Sequence, residues 1–241
     1  MNICKMRQTA VDEKTLERVI AVARAAGRAI LEIYRAAGSK GEEIARKSDD
    51  SPLTLADLAA HRTIAEALGV LTPGIPIVSE EGDAAASNRG DTDIFWLVDP
   101  LDGTREFLAR NGEFTVNIAL VCDGAPVWGI VHVPVSGLDY WGGKGRGAFR
   151  SDASGQITSL RVSPPPASGQ TIRVIASKSH LNEATRNFID RLAPHEILQA
   201  GSSLKFCRIA EGAADVYPRL GLTSEWDTAA AQAVLEGAGG H

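Results

Sequence analysis

Ile94-Phe95-Trp96-Leu97-Val98-Asp99-Pro100-Leu101-Asp102-Gly103-Thr104 joins an apolar run to two carboxylates and a glycine. The apolar residues predict a short buried strand. Pro100 and Gly103 predict a turn that leaves both acids at the strand's C-terminal edge, before a short helical stretch from Thr104 to Arg110. Pro100 keeps Asp99 extended, and Gly103 allows close backbone approach and frees N–H groups of the kind that bind phosphate. Two carboxylates beside such groups fit a Mg2+ and phosphate site, because Mg2+ is usually held by one or two carboxylates plus substrate oxygens. Asp-Gly is equally a common turn dipeptide, so this stretch alone leaves both readings open.

The 241 residues can bury a substantial core, as a single α/β domain or as two closely packed lobes. No apolar run approaches the length of a membrane span, and Met1 to Val11 lacks an apolar segment of signal-peptide length, so the expectation is a cytoplasmic protein without a transmembrane segment. Cys4, Cys122 and Cys207 show no Cys-x-x-Cys spacing; neither a disulfide framework nor a zinc site is expected, and Cys122 and Cys207 read as core fillers. A formal charge of −5 argues against binding nucleic acid polymers, which needs a basic surface. A small anionic substrate remains compatible with it where metal ions supply positive charge locally.

Working outward, apolar residues at three- and four-residue steps predict an amphipathic helix over Asp12 to Ala37. Gly38 to Asp50 reads as a loop or short hairpin. Thr54 is an N-cap candidate for a helix over Leu55 to Leu68, with Asp57 placed to complete the cap; on capping grounds that structural role is favoured over catalysis. A short strand over Ile75 to Val78 ends in Ser79-Glu80-Glu81-Gly82, where the glutamates are either solvated surface or a second acidic strand end. Asp83 to Asp93 reads as a loop. Beyond Thr104, Phe114 to Cys122 and Val127 to Val133 form a hairpin around Asp123-Gly124, and strands over Leu138 to Trp141 and at Ala148-Phe149 bracket a glycine-rich turn. Lys144 is followed by Gly145, not Ser or Thr, and no helix follows, so this is not a nucleotide loop. Ser151 to Gln170, with Pro164-Pro165-Pro166, marks a lobe boundary. After it strands (Ile172 to Ala176, Ile197 to Gln199, Ala214 to Tyr217) alternate with helices (Asn182 to Leu192, Leu204 to Glu211, Asp227 to Leu235). Asp227 sits at a helix start, which the macrodipole favours even without metal. The expected organisation is an N-terminal lobe over residues 1–155 carrying the metal site and a C-terminal α/β lobe over residues 156–241, acting as one unit.

Glu80-Glu81, the Asp99 to Thr104 hexapeptide with Phe107, and Trp226-Asp227-x-Ala229-Ala230 resemble the signature of the inositol monophosphatase superfamily of Mg2+-dependent, lithium-sensitive phosphatases. Arg110 to Asn117, Gly201 to Phe206 and Tyr217-Pro218-Arg219 resemble, within it, the CysQ-type 3′(2′),5′-bisphosphate nucleotidases. The resemblance spans nearly the whole chain. It implies a mixed α/β layered sandwich of helices and two sheets, with one metal ion held by Glu80, Asp99 and the Leu101 carbonyl, a second by Asp99, Asp102 and Asp227, and a third more loosely near Glu80. It further implies an attacking water near Glu80 and Thr104, with Asp57 acting through the Thr104 hydroxyl, and the N–H groups of Gly103 and Thr104 on the phosphate. Ser177, His180, Gly201, Ser202, Ser203, Lys205 and Arg219 would hold the nucleotide and its second phosphate; read alone, His180 is a surface or capping residue. Ser202-x-x-Lys205 also fits a serine acyl-enzyme motif, whose companion elements are absent. The implied reaction converts adenosine 3′,5′-bisphosphate to AMP and phosphate, supporting sulfur assimilation, in a monomer or homodimer. The alternatives are an inositol or sugar monophosphatase, and a nucleotide- and metal-binding regulator of impaired catalysis. The resemblance also implies a closing strand-helix segment, whereas this sequence ends at Gly239-Gly240-His241.

Overall fold

The computed structural model describes residues 11–36, 44–46, 52–82, 92–178 and 181–241. Its centre is a seven-stranded sheet built in chain order from β3 (Ile77–Ser79), β4 (Ile94–Asp102), β5 (Thr115–Cys122), β6 (Ala125–Val133), β7 (Leu138–Gly143), β8 (Gly147–Ser151) and β9 (Ile157–Ser159). β3 and β4 are parallel, and every later pair is antiparallel. β4 and β5 are apolar nearly throughout because both faces of the sheet are covered. The hairpin at Asp123-Gly124 forms as expected, with both residues at positive φ (52° and 75°), the backbone a two-residue turn requires.

Two helices, α1 (Glu13–Ala36) and α2 (Leu55–Leu71), cover one face of the sheet, where Leu16, Val19, Ile30, Ile64 and Leu68 pack with Trp96, Val98, Ile118 and Ile130. A two-stranded ladder, β1 (Ile44–Arg46) with β2 (Pro52–Thr54), leads into α2. The expected cap is present: Thr54 accepts from the Ala56 N–H, and Asp57 accepts from the Thr54 N–H at 2.9 Å. The helix α3 (Thr104–Leu108) is pinned to α1 by aromatic rings, with Phe107 5.1 Å from Tyr34 and 5.3 Å from Phe114.

Behind the other face lie α5 (Leu204–Ala210) and α6 (Ala229–Gly237), then a parallel pair, β10 (Ile172–Ser177) with β11 (His195–Ala200), then α4 (Glu183–Ile189). The layers are therefore helix, sheet, helix, sheet, helix, the sandwich the resemblance implies. Three expectations need correction. The strand over Ala214 to Tyr217 is reduced to a single bridge between Val174 and Val216; Asp215 is taken up by the Arg173 side chain, and Pro218 has no N–H to extend a ladder. The last helix begins at Ala229, because residues 225–229 form a turn closed by the Ala229 N–H on the Glu225 carbonyl. Cys122, buried as expected, is disulfide-bonded, while Cys207 is a free buried thiol. Most of the expected loops over Gly38 to Asp50 and Asp83 to Asp93 lie outside the described residues. Among the described residues no helix is long and apolar enough to cross a membrane.

Small residues let α6 lie flat on the sheet: a Cβ at Gly129 of β6 would collide with the Ala230 backbone. Gly129→Ala is expected to overpack this contact and cost about 1–3 kcal/mol, lowering the melting temperature by several degrees. Gly69, inside α2 with open space where a Cβ would stand, is the control, and Gly69→Ala should raise it. Thermal melts of the two variants check the contrast.

Candidate active site

The site is built on the end of β4. Asp99 and Asp102 are three residues apart, a spacing that in a regular strand sends side chains to opposite faces. The pairing with β5 is irregular between them: Asp99 faces Asn117 and Asp102 faces Thr115, two residues away on the partner for three on β4. The expected turn is thus a bulge within a strand that runs on through Pro100, and it re-aims Asp102 so that its charge acts on Asp99. Parallel pairing of β3 with β4 sets Glu80 beside them, its N–H donating to the Val98 carbonyl at 3.1 Å. Asp227 arrives from the far side of the sandwich, its Oδ2 accepting from Thr223 Oγ1 at 2.8 Å and from the Ser224 N–H at 3.0 Å.

These elements enclose a cleft of about 470 Å³. Of the residues expected at the site, Glu80, Asp102, Gly103, Thr104, Ser177, Ser202, Lys205, Arg219 and Asp227 line it. Asp99 is buried just behind the lining, its Oδ1 accepting from the Leu101 N–H at 3.1 Å. Asp57 is buried in its capping box, and its strand neighbour β2 packs against α3, which carries Thr104. Gly201 is held from behind, its N–H donating to Glu113 Oε2 at 2.8 Å, and a Cβ there would meet Glu106 and Glu113. Ser203 is buried outside the lining. His180 lies outside the described residues.

Phe206, Tyr217 and Trp226, which the sequence reading has only as members of its motifs and gives no site role, form the aromatic part of the wall, with the Phe206 and Tyr217 rings edge to face at 5.2 Å. Sequence reasoning also gave no role to Asn117, whose signal was readable: it is the one amide in a strand, β5, that is buried along its whole length.

Burial and the charges of Glu80, Asp102 and Asp227 push the Asp99 carboxyl well above the usual carboxylate range. Burial raises Asp102 to about 6, while the Lys205 ammonium and hydrogen bonds from Ser203 and Asn117 work against that rise. Lys205 is pushed down by its own burial; it donates to the Ser202 carbonyl and lies 5.4 Å over the Tyr217 ring. Mutually repelling carboxylate oxygens are the donors a hard divalent cation takes. As the side chains stand, no three His, Cys, Asp or Glu among the described residues converge on one point, and Asp102 and Asp227 both turn Oδ2 to protein donors. What suits Mg2+ is the chemistry of these carboxylate donors, not a coordination geometry already formed among the described residues.

The model of the inositol monophosphatase family matches residues 12–241. The chain belongs to the inositol monophosphatase family. It is 46% identical over 226 residues, 94% of this chain and 89% of the relative, to the 3′(2′),5′-bisphosphate nucleotidase CysQ of Salmonella typhimurium. The same-named protein of Escherichia coli is 42% identical over the same shares. Among solved structures, CysQ from Bacteroides thetaiotaomicron, a bacterial member of the inositol monophosphatase family, superposes with a TM-score of 0.76 at 38% identity, covering 92% of this chain and 85% of that one. Members of this family are generally Mg2+-dependent.

A carboxyl raised on folding stabilises the protein below its unfolded value of 3.8, and that contribution is lost as pH rises through the folded value, about 6 for Asp102. The aspartates lowered by their partners, such as Asp139 and Asp215, lose their contribution only below the ordinary value and stay constant above about pH 5. The metal-free protein is therefore expected to melt several degrees lower at pH 8 than at pH 5.5. Mg2+ should restore stability chiefly at pH 8, by about 2.7 kcal/mol at a hundredfold excess over its Kd. Melts in chelator and in Mg2+ across this range check both; a Mg2+ effect equal at the two pH values would contradict the carboxylate origin.

Proposed function

We propose that this chain is a Mg2+-dependent 3′(2′),5′-bisphosphate nucleotidase that hydrolyses the 3′-phosphate of adenosine 3′,5′-bisphosphate to AMP and phosphate. The observation that carries this reading is one cleft lined by both acids and cations. Glu80, Asp102 and Asp227 line it together with Lys205 and Arg219. Arg219 commits Nη2 to the Leu222 carbonyl at 2.7 Å, and its buried Nε has no hydrogen-bond partner among the described residues. A guanidinium in such a cleft suits a second phosphate. The near relatives carry the name of this activity.

In this reading Glu80, Asp99 and the Leu101 carbonyl would hold one Mg2+, and Asp99, Asp102 and Asp227 a second, with a third held more loosely near Glu80. Bound Mg2+ supplies positive charge to the phosphate oxygens and lowers the pKa of water. Glu80 and the Thr104 hydroxyl orient the attacking water in line with the P–O3′ bond, and Asp57, acting through Thr104, draws off its proton. The Gly103 and Thr104 N–H groups steady the phosphate as the P–O3′ bond breaks, and the 3′ oxygen takes a proton from a solvent water as it leaves, the resulting hydroxide being neutralised by the proton that Asp57 releases to solvent. Ser177, Gly201 and Ser202 bound the nucleotide, and residues 1–155 and 156–241 act as two lobes of one unit because the acids come from both.

Asp99→Asn keeps the shape and removes the charge at the centre of the cluster, so it should abolish Mg2+-dependent turnover with the fold intact by circular dichroism. Arg219→Ala should raise KM for adenosine 3′,5′-bisphosphate roughly tenfold or more, since a charge-assisted hydrogen bond is worth about 1.5–3 kcal/mol, and leave monophosphates little changed. Lys205 is the poorer test, because its charge also acts on Asp102. Phosphate release measured side by side with adenosine 3′,5′-bisphosphate and inositol 1-phosphate decides the substrate. Parallel losses on both substrates in Arg219→Ala, or a preference for the inositol ester, would favour an inositol or sugar monophosphatase.

A further inference from the structure

Ser203, buried at 1% exposure, and Asn117, equally buried, tie together three segments that meet behind the cleft. Asn117 Nδ2 lies 2.8 Å from Ser203 Oγ and 3.3 Å from Asp102 Oδ2. The amide nitrogen is the end that must face this way, because a carboxylate only accepts. With Asn117 donating to Ser203 Oγ, the single serine proton is left for its two other neighbours, Asp102 Oδ2 at 2.7 Å and the Asp227 carbonyl at 2.8 Å. One hydroxyl thus joins the end of β4, the first part of β5 and the turn before α6. Resting on the metal reading proposed above, we infer that Ser203 and Asn117 are positioning residues that fix Asp102 relative to Asp227 and so set the affinity for Mg2+, and that Ser203 does not contact the nucleotide.

The placement explains why each is needed. Asp227 is carried by a turn on the opposite side of the sandwich from β4, and its own side-chain bonds, to Thr223 and the Ser224 N–H, are local. Ser203 links that turn to the β4 acids. Binding Oδ2 of Asp102 to Ser203 and Asn117 leaves Oδ1 as the atom to offer a cation. Groups that orient metal ligands in this way typically change affinity or activity about 10- to 100-fold when removed.

The test is calorimetric titration of Mg2+ into the nucleotide-free protein, alongside steady-state kinetics. Ser203→Ala should raise the Kd for Mg2+ about tenfold or more while KM for adenosine 3′,5′-bisphosphate at saturating Mg2+ stays within about twofold. Asn117→Ala, on a different element, should move Mg2+ affinity in the same direction, and it carries the test should Ser203→Ala fail to melt cooperatively. The double variant should be little worse than the worse single one, because the two act through each other. Wild-type Mg2+ affinity in both variants, or an unchanged Mg2+ Kd with a raised KM in Ser203→Ala, overturns the inference and leaves the metal reading standing. No Mg2+ binding by the unsubstituted protein overturns that reading and the inference with it.

Discussion

Repulsion between the buried Asp99 carboxylate and the half-buried acids around it is the constraint on which the rest depends. Asp99 sits at 1% exposure with the charges of Glu80, Asp102 and Asp227 bearing on it, an arrangement the chain offsets only partly with Lys205 and with neutral donors. Desolvation and like charge both disfavour ionisation of Asp99 and Asp102, so these two are held against their own electrostatics by the packing around them. Where a fold maintains such a cluster, a divalent cation is the group that relieves it.

What maintains it is the sheet. β4 is buried nearly end to end, between the α1 and α2 layer and the α5 and α6 layer, and its neighbours β3 and β5 fix its register from both sides. Trp96 illustrates the reach of this packing: fully buried, it donates its indole N–H to Thr72 Oγ1 at 2.8 Å, tying the strand to the C-terminal end of α2. On the other face, Gly129 and the alanines of α6 bring helix and sheet into backbone contact, and that close approach sets how far Asp227 stands from β4. The acids therefore belong to one rigid framework although Asp102 and Asp227 are 125 residues apart in the chain.

The cleft divides its labour along the same lines. Glu80 and Asp102 come from strand ends and Asp227 from the turn before α6, which also supplies Trp226, whereas Lys205, Phe206, Tyr217 and Arg219 come from α5 and the segment around Tyr217 to Arg219. Lys205 belongs to both, since it faces the Tyr217 ring and carries a charge felt by Asp102. A phosphate at the acids and a phosphate at Arg219 would then be read by different parts of the chain, which is the chemistry a bisphosphate requires.

Much of this was legible in the sequence because it rests on local signals. The alternation and punctuation of α1, α2 and the β5–β6 hairpin and the Thr54 and Asp57 cap are consequences of short-range backbone chemistry and pointed to an α/β chain, while the layered sandwich and the family followed from the resemblance carried by Glu80-Glu81, the acidic hexapeptide and Trp226 to Ala230. Tertiary structure alone decided the rest. That Asp102 shares a side with Asp99 depends on a bulge, which is set by pairing with β5; that Ala214 to Tyr217 makes only a bridge depends on Arg173 claiming Asp215; that Ser203 meets Asp102 and the Asp227 carbonyl depends on β5, α5 and the turn before α6 converging. Spacing along a chain fixes which backbone conformations are cheap, but which side chains share a desolvated site is fixed by contacts between distant segments, and these exist only once the layers have packed.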